Sequence, residues 1–187
     1  MGLNRFEQYK TKKKSSKDSL NKFIVLSHGF DQDSLEMGLK RGEIMGHGNV
    51  RARQIANHPG NFMTPSHMAK EAELVASNVG MECSILDEPE LKARGFGGIC
   101  AVSAGSNENC KMIQLRYRGK PGDDNIHLAI IGKGLTFDAG GISIKPAQNM
   151  HMMKFDMCGG AGVIGAAEII GKLRPKININ IYVPTSE

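Results

Sequence analysis

The sequence predicts an α/β protein whose sheet is mostly parallel and covered by helices. Short apolar runs typical of strands alternate along the chain with longer runs typical of helices, which is the pattern of such folds. Glycine makes up 23 of the 187 residues and is concentrated in residues 95–105, 132–141 and 159–171, which indicates tight turns and close backbone approach. A chain of this length can also bury a hydrophobic core.

The first predicted elements are one short strand and one long helix. Residues 10–22 are rich in charge and look solvated, whereas the apolar run Phe23–Ser27 predicts a strand. Asp31 and Asp33 are candidate N-caps of a long helix that extends towards Asn57. The buried positions expected in this helix include Leu35, Leu39, Met45 and Ile55.

A break containing proline and glycine separates this helix from a second one. Thr64 followed by Pro65 is typical of a helix start, with a cap and then proline at the first helical position. A strand around Met81–Leu86 and a short helix from Glu88, ended by Gly95, come next. The apolar face expected for the second helix consists of Met68, Ala72, Val75 and Val79.

The rest of the chain predicts further strands and one more helix. The helix is Met157–Leu173, which is rich in small residues. The last strand shows a clear alternation of isoleucine and valine with polar residues. The predicted strands are Ile99–Val102, Met112–Arg118, Ile126–Ile131 and Ile177–Val183.

Composition argues against several classes of function. The formal net charge of +5 comes from residues 1–30, and the remaining residues carry equal numbers of basic and acidic side chains, so no basic face typical of nucleic-acid binding is expected. No apolar run approaches the ~20 residues of a membrane span, and no signal peptide is recognisable. The four cysteines lack metal-binding spacing. We therefore expect a cytoplasmic protein without a nucleic-acid or membrane partner.

The charged side chains of greatest chemical interest lie in residues 131–160. Lys133, Asp138, Lys145 and Asp156 stand among glycines directly after an apolar strand. Charges beside a buried strand end are costly unless they are paired or bound to a metal, and two carboxylates could share a divalent cation. The residues alone leave open the alternative that both aspartates are capping or turn residues.

Three motifs in this segment resemble a known family. The elements GKG, TFDxGGxSxKP and MKxDM, at residues 132–134, 136–146 and 153–157, resemble the catalytic segment of the leucyl aminopeptidase (cytosolic aminopeptidase) family of two-metal exopeptidases. The resemblance covers nearly the whole chain. Its further segments are residues 5–14, 52–65, 95–106 and 177–187.

The resemblance implies a division of the chain and a function for it. Residues 1–30 would be a remnant of an N-terminal α/β domain, residues 31–58 a connecting helix, and residues 59–187 part of the catalytic peptidase domain. The expected reaction is release of N-terminal amino acids, with leucine-type preference, from peptides that carry a free N-terminus. The family assembles hexamers, so a homo-oligomer is expected.

Roles for individual residues also follow from the resemblance. Lys133 and Asp156 match ligands of the tightly held metal, and Asp138 matches the ligand that bridges both metals and borders the substrate. Lys145 matches the catalytic lysine that binds the scissile carbonyl oxygen and the developing oxyanion. Met153 matches a residue that lines the pocket for the first side chain of the substrate.

The implied cofactors are two divalent metal ions, Mn²⁺ or Zn²⁺, with Mg²⁺ or Co²⁺ as further candidates. Bicarbonate held on an arginine is the implied proton acceptor. The family supplies that arginine, together with further carboxylate ligands, from an NTDAEGR-type loop that does not occur in these 187 residues. The resemblance therefore predicts a fragment, truncated at both ends, that binds metals weakly and is inactive alone.

Two other interpretations stay open at this point. A non-catalytic fragment that only associates with other subunits is one of them. The other is a dinucleotide-binding module, because residues 160–165 read GAGVIG and Glu187 follows about twenty residues later. That fingerprint should follow a strand directly, whereas the residues before it contain charges and predict no strand.

Overall fold

The computed structural model describes residues 6–12, 22–29 and 31–187. The proposed N-terminal remnant, residues 1–30, and the charged segment 10–22 lie partly outside these described residues. The helices are α1 (Gln32–Asn57), α2 (Pro65–Val79), α3 (Glu88–Ala93), α4 (Gly97–Ser103) and α5 (Cys158–Leu173), with a 3-10 helix at Met150–Met157. The strands are β1 (Glu82–Asp87), β2 (Lys111–Arg118), β3 (Leu128–Ile131), β4 (Gly134–Leu135) and β5 (Asn178–Ser186).

The α/β class is confirmed, but the sheet is mixed and not mostly parallel. Its strand order is β1-β2-β5-β3, and β4 also pairs with β5. β1–β2 and β2–β5 are antiparallel, whereas β3 and β4 run parallel to β5. α5 lies between β4 and β5 in the sequence and provides the long crossover that parallel neighbours require. The site described below therefore lies in the parallel half of the sheet.

The core lies between the sheet and helices α2 and α5. Thr64 caps α2 by accepting a hydrogen bond from the His67 amide, and Pro65 occupies the first turn. Gly80 ends α2 in the left-handed conformation, at φ 71°. The predicted apolar face of α2 is buried, as expected for a helix packed on a sheet. The core joins this face to Ile113, Leu115, Ile164, Ile181 and Val183.

Helix α1 forms an outer layer that packs on α5. Its predicted N-cap is confirmed, because Asp31 Oδ1 accepts a hydrogen bond from the Ser34 amide at 2.9 Å. Its predicted burial is wrong at Leu39 and Met45, which are 46% and 57% exposed. Leu35 is half-buried and Ile55 is fully buried, since only the C-terminal part of the helix meets the core.

Two predicted strands are absent from the described structure. The run Phe23–Ser27 is exposed and pairs with no described strand. The run Ile99–Val102 lies inside helix α4. A short apolar run fits a buried strand or a helix equally well by its periodicity, and here the helix is formed.

No helix within the described ranges is both long enough and apolar enough to cross a membrane.

Candidate active site

The site is built on the connection between β3 and α5. Lys133 lies two residues after β3, and β3 ends at an edge where parallel strands place their carboxyl ends. The amide of Gly160 donates to the Lys133 carbonyl at 2.6 Å, which holds this connection against the first turn of α5. A Cβ at Gly132 would lie 2.5 Å from the Gly159 carbonyl oxygen, so only glycine fits there. The close approach fixes the position of the Lys133 backbone.

Lys133 forms an ion pair with Asp156 across the site. The Lys133 Nζ lies 2.8 Å from Asp156 Oδ2, and Asp156 belongs to the 3-10 helix that leads into α5. Asp156 Oδ2 is itself buried and accepts no hydrogen bond of good geometry among the described residues. The Lys133 ammonium compensates its charge, but a carboxylate oxygen has lone pairs for more than one partner. The atom therefore has capacity for a further positively charged ligand.

Asp138 and Lys145 form a second pair on one loop. The Lys145 ammonium contacts Asp138 Oδ2 and also donates to the Asp138 carbonyl oxygen at 3.2 Å. The Gly140 amide donates to Asp138 Oδ1 at 3.0 Å, and Gly140 adopts φ 96°. Asp138 therefore closes a turn and also pairs with a lysine. The positive φ requires glycine at this turn.

The two pairs share one electrostatic environment. The hydrogen bond from Lys145 is the main cause that lowers the pKa of the Asp138 carboxyl. The Gly140 amide and the charges of Lys145 and Lys133 lower it further, against the opposing effect of partial burial. Asp138 is thus kept ionised by both lysines, which links the two pairs electrostatically.

Three side chains of the site have donor atoms that a divalent cation could use. Asp138 and Asp156 offer carboxylate oxygens, one of them without a hydrogen bond, and Lys133 offers an amine beside Asp156. Within the described part of the chain, no group of three or more histidine, cysteine, aspartate or glutamate side chains is placed to hold a metal ion. Any metal here would therefore need the lysine nitrogen or ligands from elsewhere.

A cavity of about 1250 Å³ opens beside Asp138. Its apolar lining includes Val102, Leu135, Phe137 and Ile142. Sequence reasoning missed the contribution of α4, because it assigned this segment to a strand. Met153 is half-buried in the 3-10 helix and is not among the described residues that line this cavity.

The glycine pattern GAGVIG at residues 160–165 lies inside α5 and follows the 3-10 helix, not a strand. A Cβ at Gly160 would lie 2.9 Å from Val183 Cγ1, and one at Gly165 would lie 2.5 Å from the Gly48 carbonyl oxygen. These glycines allow α5 to pack closely on the sheet and on α1. The strand–turn–helix context of a dinucleotide fingerprint is not formed at these residues.

Comparison with known proteins identifies the family. Residues 50–187 match the family model described as the cytosol aminopeptidase family, catalytic domain. The chain therefore belongs to the cytosol aminopeptidase family, and the resemblance carried by its motifs is confirmed. The match begins within α1.

Curated relatives and solved structures extend over nearly the whole chain. The probable cytosol aminopeptidases of Nitrosococcus oceani and Solibacter usitatus are 42% and 41% identical over 99% of this chain. The bottromycin maturation enzyme BotP in complex with Mn superposes with a TM-score of 0.83, at 27% identity, over 98% of this chain and 36% of that one. The chain spans 37% and 38% of the length of these two curated relatives.

Proposed function

We propose that this chain carries the part of an aminopeptidase active site that binds two divalent metal ions and the scissile carbonyl group. The observation that supports this proposal most directly is the buried Asp156 Oδ2, which has no hydrogen bond of good geometry and faces the Lys133 amine at 2.8 Å. The family match over residues 50–187 supports the same reaction class.

Lys133, Asp138 and Asp156 hold the metal ions in this proposal. Lys133 ligates as a neutral amine, which the field of an adjacent cation makes possible near neutral pH. Mn²⁺ and Zn²⁺ are the first candidates, followed by Mg²⁺ and Co²⁺, and Mn is the metal of the structurally similar BotP complex. Such cations supply Lewis-acid polarisation of a carbonyl and lower the pKa of water.

Lys145 binds the substrate carbonyl oxygen and stabilises the negative charge that develops there. An ammonium group has three N–H donors, and Asp138 accepts from Lys145 through its carboxylate and its main-chain carbonyl. One donor is left for the substrate. Because the Gly140 amide also holds Asp138, Lys145 is oriented before the substrate arrives.

The substrates are peptides with a free N-terminus and a leucine-type first residue. The apolar lining beside Asp138 favours an apolar side chain. Met153 contacts this side chain, because residues three apart in a 3-10 helix lie on one face and Met153 is three residues before Asp156.

The proton acceptor is bicarbonate held on an arginine, and no residue of the described site is assigned that role. The 187 residues alone are expected to bind metal weakly and to be inactive. Turnover of leucine p-nitroanilide by the pure 187-residue chain with added Mn²⁺ or Zn²⁺ would contradict this expectation.

A chimera tests whether these residues support aminopeptidase chemistry. The 187 residues replace the matching segment of the Bacillus subtilis relative, which is 39% identical over 183 residues. The chimera is expected to hydrolyse leucine p-nitroanilide, and Lys145→Ala in it should lower kcat by about 10²–10³-fold. A chimera that folds and binds metal but retains full activity after Lys145→Ala would refute the role of Lys145.

One observation favours an additional, associative role. Helix α1 exposes Met37, Leu39 and Met45, and exposed apolar side chains often lie in interfaces. A homo-oligomer, hexameric in the proposal, would cover some of these side chains, Leu39 among them. Light scattering after size exclusion should show a defined oligomer that Leu39→Glu weakens, and a monomeric or polydisperse chain would contradict the proposal.

A further inference from the structure

The C-terminal end of α1 has no cation of its own. This 26-residue helix has no basic side chain in its last turn, and its C-cap is His58. Burial, together with the nearby charges of His67 and Lys154, lowers the pKa of His58, so the imidazole is uncharged at neutral pH. The last carbonyls of a helix lack intrahelical partners and carry partial negative charge, which a cation stabilises.

Lys154 supplies this cation from a distant part of the chain. Its Nζ donates to the carbonyl oxygen of Asn57, the last residue of α1, at 3.1 Å. The same ammonium lies 4.8 Å from the centroid of the Phe155 ring, in a cation–π arrangement. Lys154 is half-buried, so these contacts are less screened than those of a surface lysine.

The 3-10 helix that carries Lys154 needs such an external contact. It spans eight residues, Met150–Met157, whereas 3-10 helices longer than three or four residues are uncommon because their hydrogen bonds are poorly aligned. Its N-cap, Asn149, adopts φ 61° and makes no side-chain capping bond. The helix is therefore held in place by contacts outside itself.

We infer that Lys154 is a positioning residue, which anchors the 3-10 helix to the end of α1 and so holds Asp156 and Met153 in the site. The inference rests on the proposed function, since Asp156 is the metal ligand and Met153 the pocket residue of that proposal. Lys154 itself touches neither metal nor substrate in this inference, and its effect passes through the 3-10 helix.

Three variants separate positioning from general stability. Lys154→Met keeps the apolar stem and removes the cation, and Lys154→Arg keeps the charge and the donor. Lys176→Met is the matched control, because Lys176 is exposed and has no ion pair or side-chain hydrogen bond within the described residues. Calorimetric titration with Mn²⁺ should show a dissociation constant about tenfold higher for Lys154→Met, with Lys154→Arg and Lys176→Met within about twofold of the parent chain.

Hydrogen exchange of the metal-free chain gives a readout that does not depend on metal. Lys154→Met should lose amide protection in residues 150–157, with little change in the core strand β5, and Lys154→Arg should restore it. Unchanged protection in Lys154→Met would overturn the inference, even if no variant bound Mn²⁺. If the parent chain fails to bind Mn²⁺ but Lys154→Met loses this protection, the metal proposal fails while the anchoring role stands.

Discussion

The close contact between α1 and α5 can be tested by giving Gly165 a methyl group. A Cβ at Gly165 would lie 2.5 Å from the Gly48 carbonyl oxygen and 3.0 Å from the Ala52 Cβ. Neither atom can move by side-chain rotation, because one belongs to the backbone and the other is attached directly to it. Gly165→Ala therefore forces the two helices apart.

Two effects of opposite sign determine how much Gly165→Ala changes the free energy of unfolding. Overpacking of a close contact costs about 1–3 kcal/mol. Replacing glycine with alanine inside a helix returns about 1 kcal/mol. We expect Gly165→Ala to lower the free energy of unfolding by up to about 2 kcal/mol, and to lower Tm by up to about 8 °C, since each kcal/mol corresponds to about 2–4 °C in a chain of this size.

Gly162 in the same helix provides the matched control. A Cβ there would meet nothing within 4 Å, so Gly162→Ala should raise the free energy of unfolding by about 0.5–1 kcal/mol. Thermal and urea unfolding followed by circular dichroism measure both variants. If both substitutions shift Tm in the same direction by similar amounts, the close packing of α1 on α5 is wrong.

Three further predictions concern stability and the site. Glu168 is buried within α5, and although burial alone raises its pKa, hydrogen bonds from Lys172 and Arg51 outweigh it and lower the pKa. Its stabilising contribution is therefore present above the ordinary glutamate pKa and lost as the pH falls through the lowered one, so Glu168→Gln should reduce stability at pH 7 and weaken the loss on acidification in urea unfolding. Asn178 is fully buried and bonds three backbone groups of the loop after β2, so Asn178→Ala should cost about 2–3 kcal/mol by urea unfolding, and a loss below about 0.5 kcal/mol would contradict these contacts. In the chimera, Lys145→Arg should recover little of the kcat lost in Lys145→Ala, because a planar guanidinium cannot reproduce the contacts of the ammonium with Asp138, and recovery to the parent kcat would argue against that geometry.

Helix boundaries were predictable wherever a local chemical signal exists. Asp31 caps α1 and Thr64 with Pro65 starts α2, because these caps depend only on residues within one turn. Gly95 follows the end of the short helix α3 and adopts the left-handed conformation, at φ 79°. Each of these signals acts over a few residues and needs no knowledge of the rest of the fold.

Burial and strand direction were less predictable, because both depend on partners far away in the sequence. Leu39 and Met45 are apolar residues of a helix but stay exposed, because α1 is buried only further along, at Gly48 and Ile55. Residues 99–102 form helix although their apolar run fits a strand. The antiparallel placement of β2 between β1 and β5 likewise follows from tertiary pairing and not from the composition of β2.

The candidate site residues were selected by their resemblance to family motifs, because residue types and spacing alone left a turn or capping role open. Asp138 and Lys145 are seven residues apart, and their pairing needs only one loop. Lys133 and Asp156 are separated by the whole loop and the 3-10 helix, and their 2.8 Å contact depends on glycines packed against α5. The support that Lys154 gives to this helix had no local signal, because its partner Asn57 is 97 residues away.

Mn²⁺ binding by the 187-residue chain tests the central proposal most directly. Isothermal titration calorimetry compares the parent chain with Asp156→Asn and with Asp33→Asn, an exposed aspartate of α1 that serves as the control. The proposal predicts weak but measurable binding by the parent, a dissociation constant at least about tenfold higher for Asp156→Asn, and no change for Asp33→Asn. Equal binding by the parent and Asp156→Asn, or no binding by the parent, would contradict it.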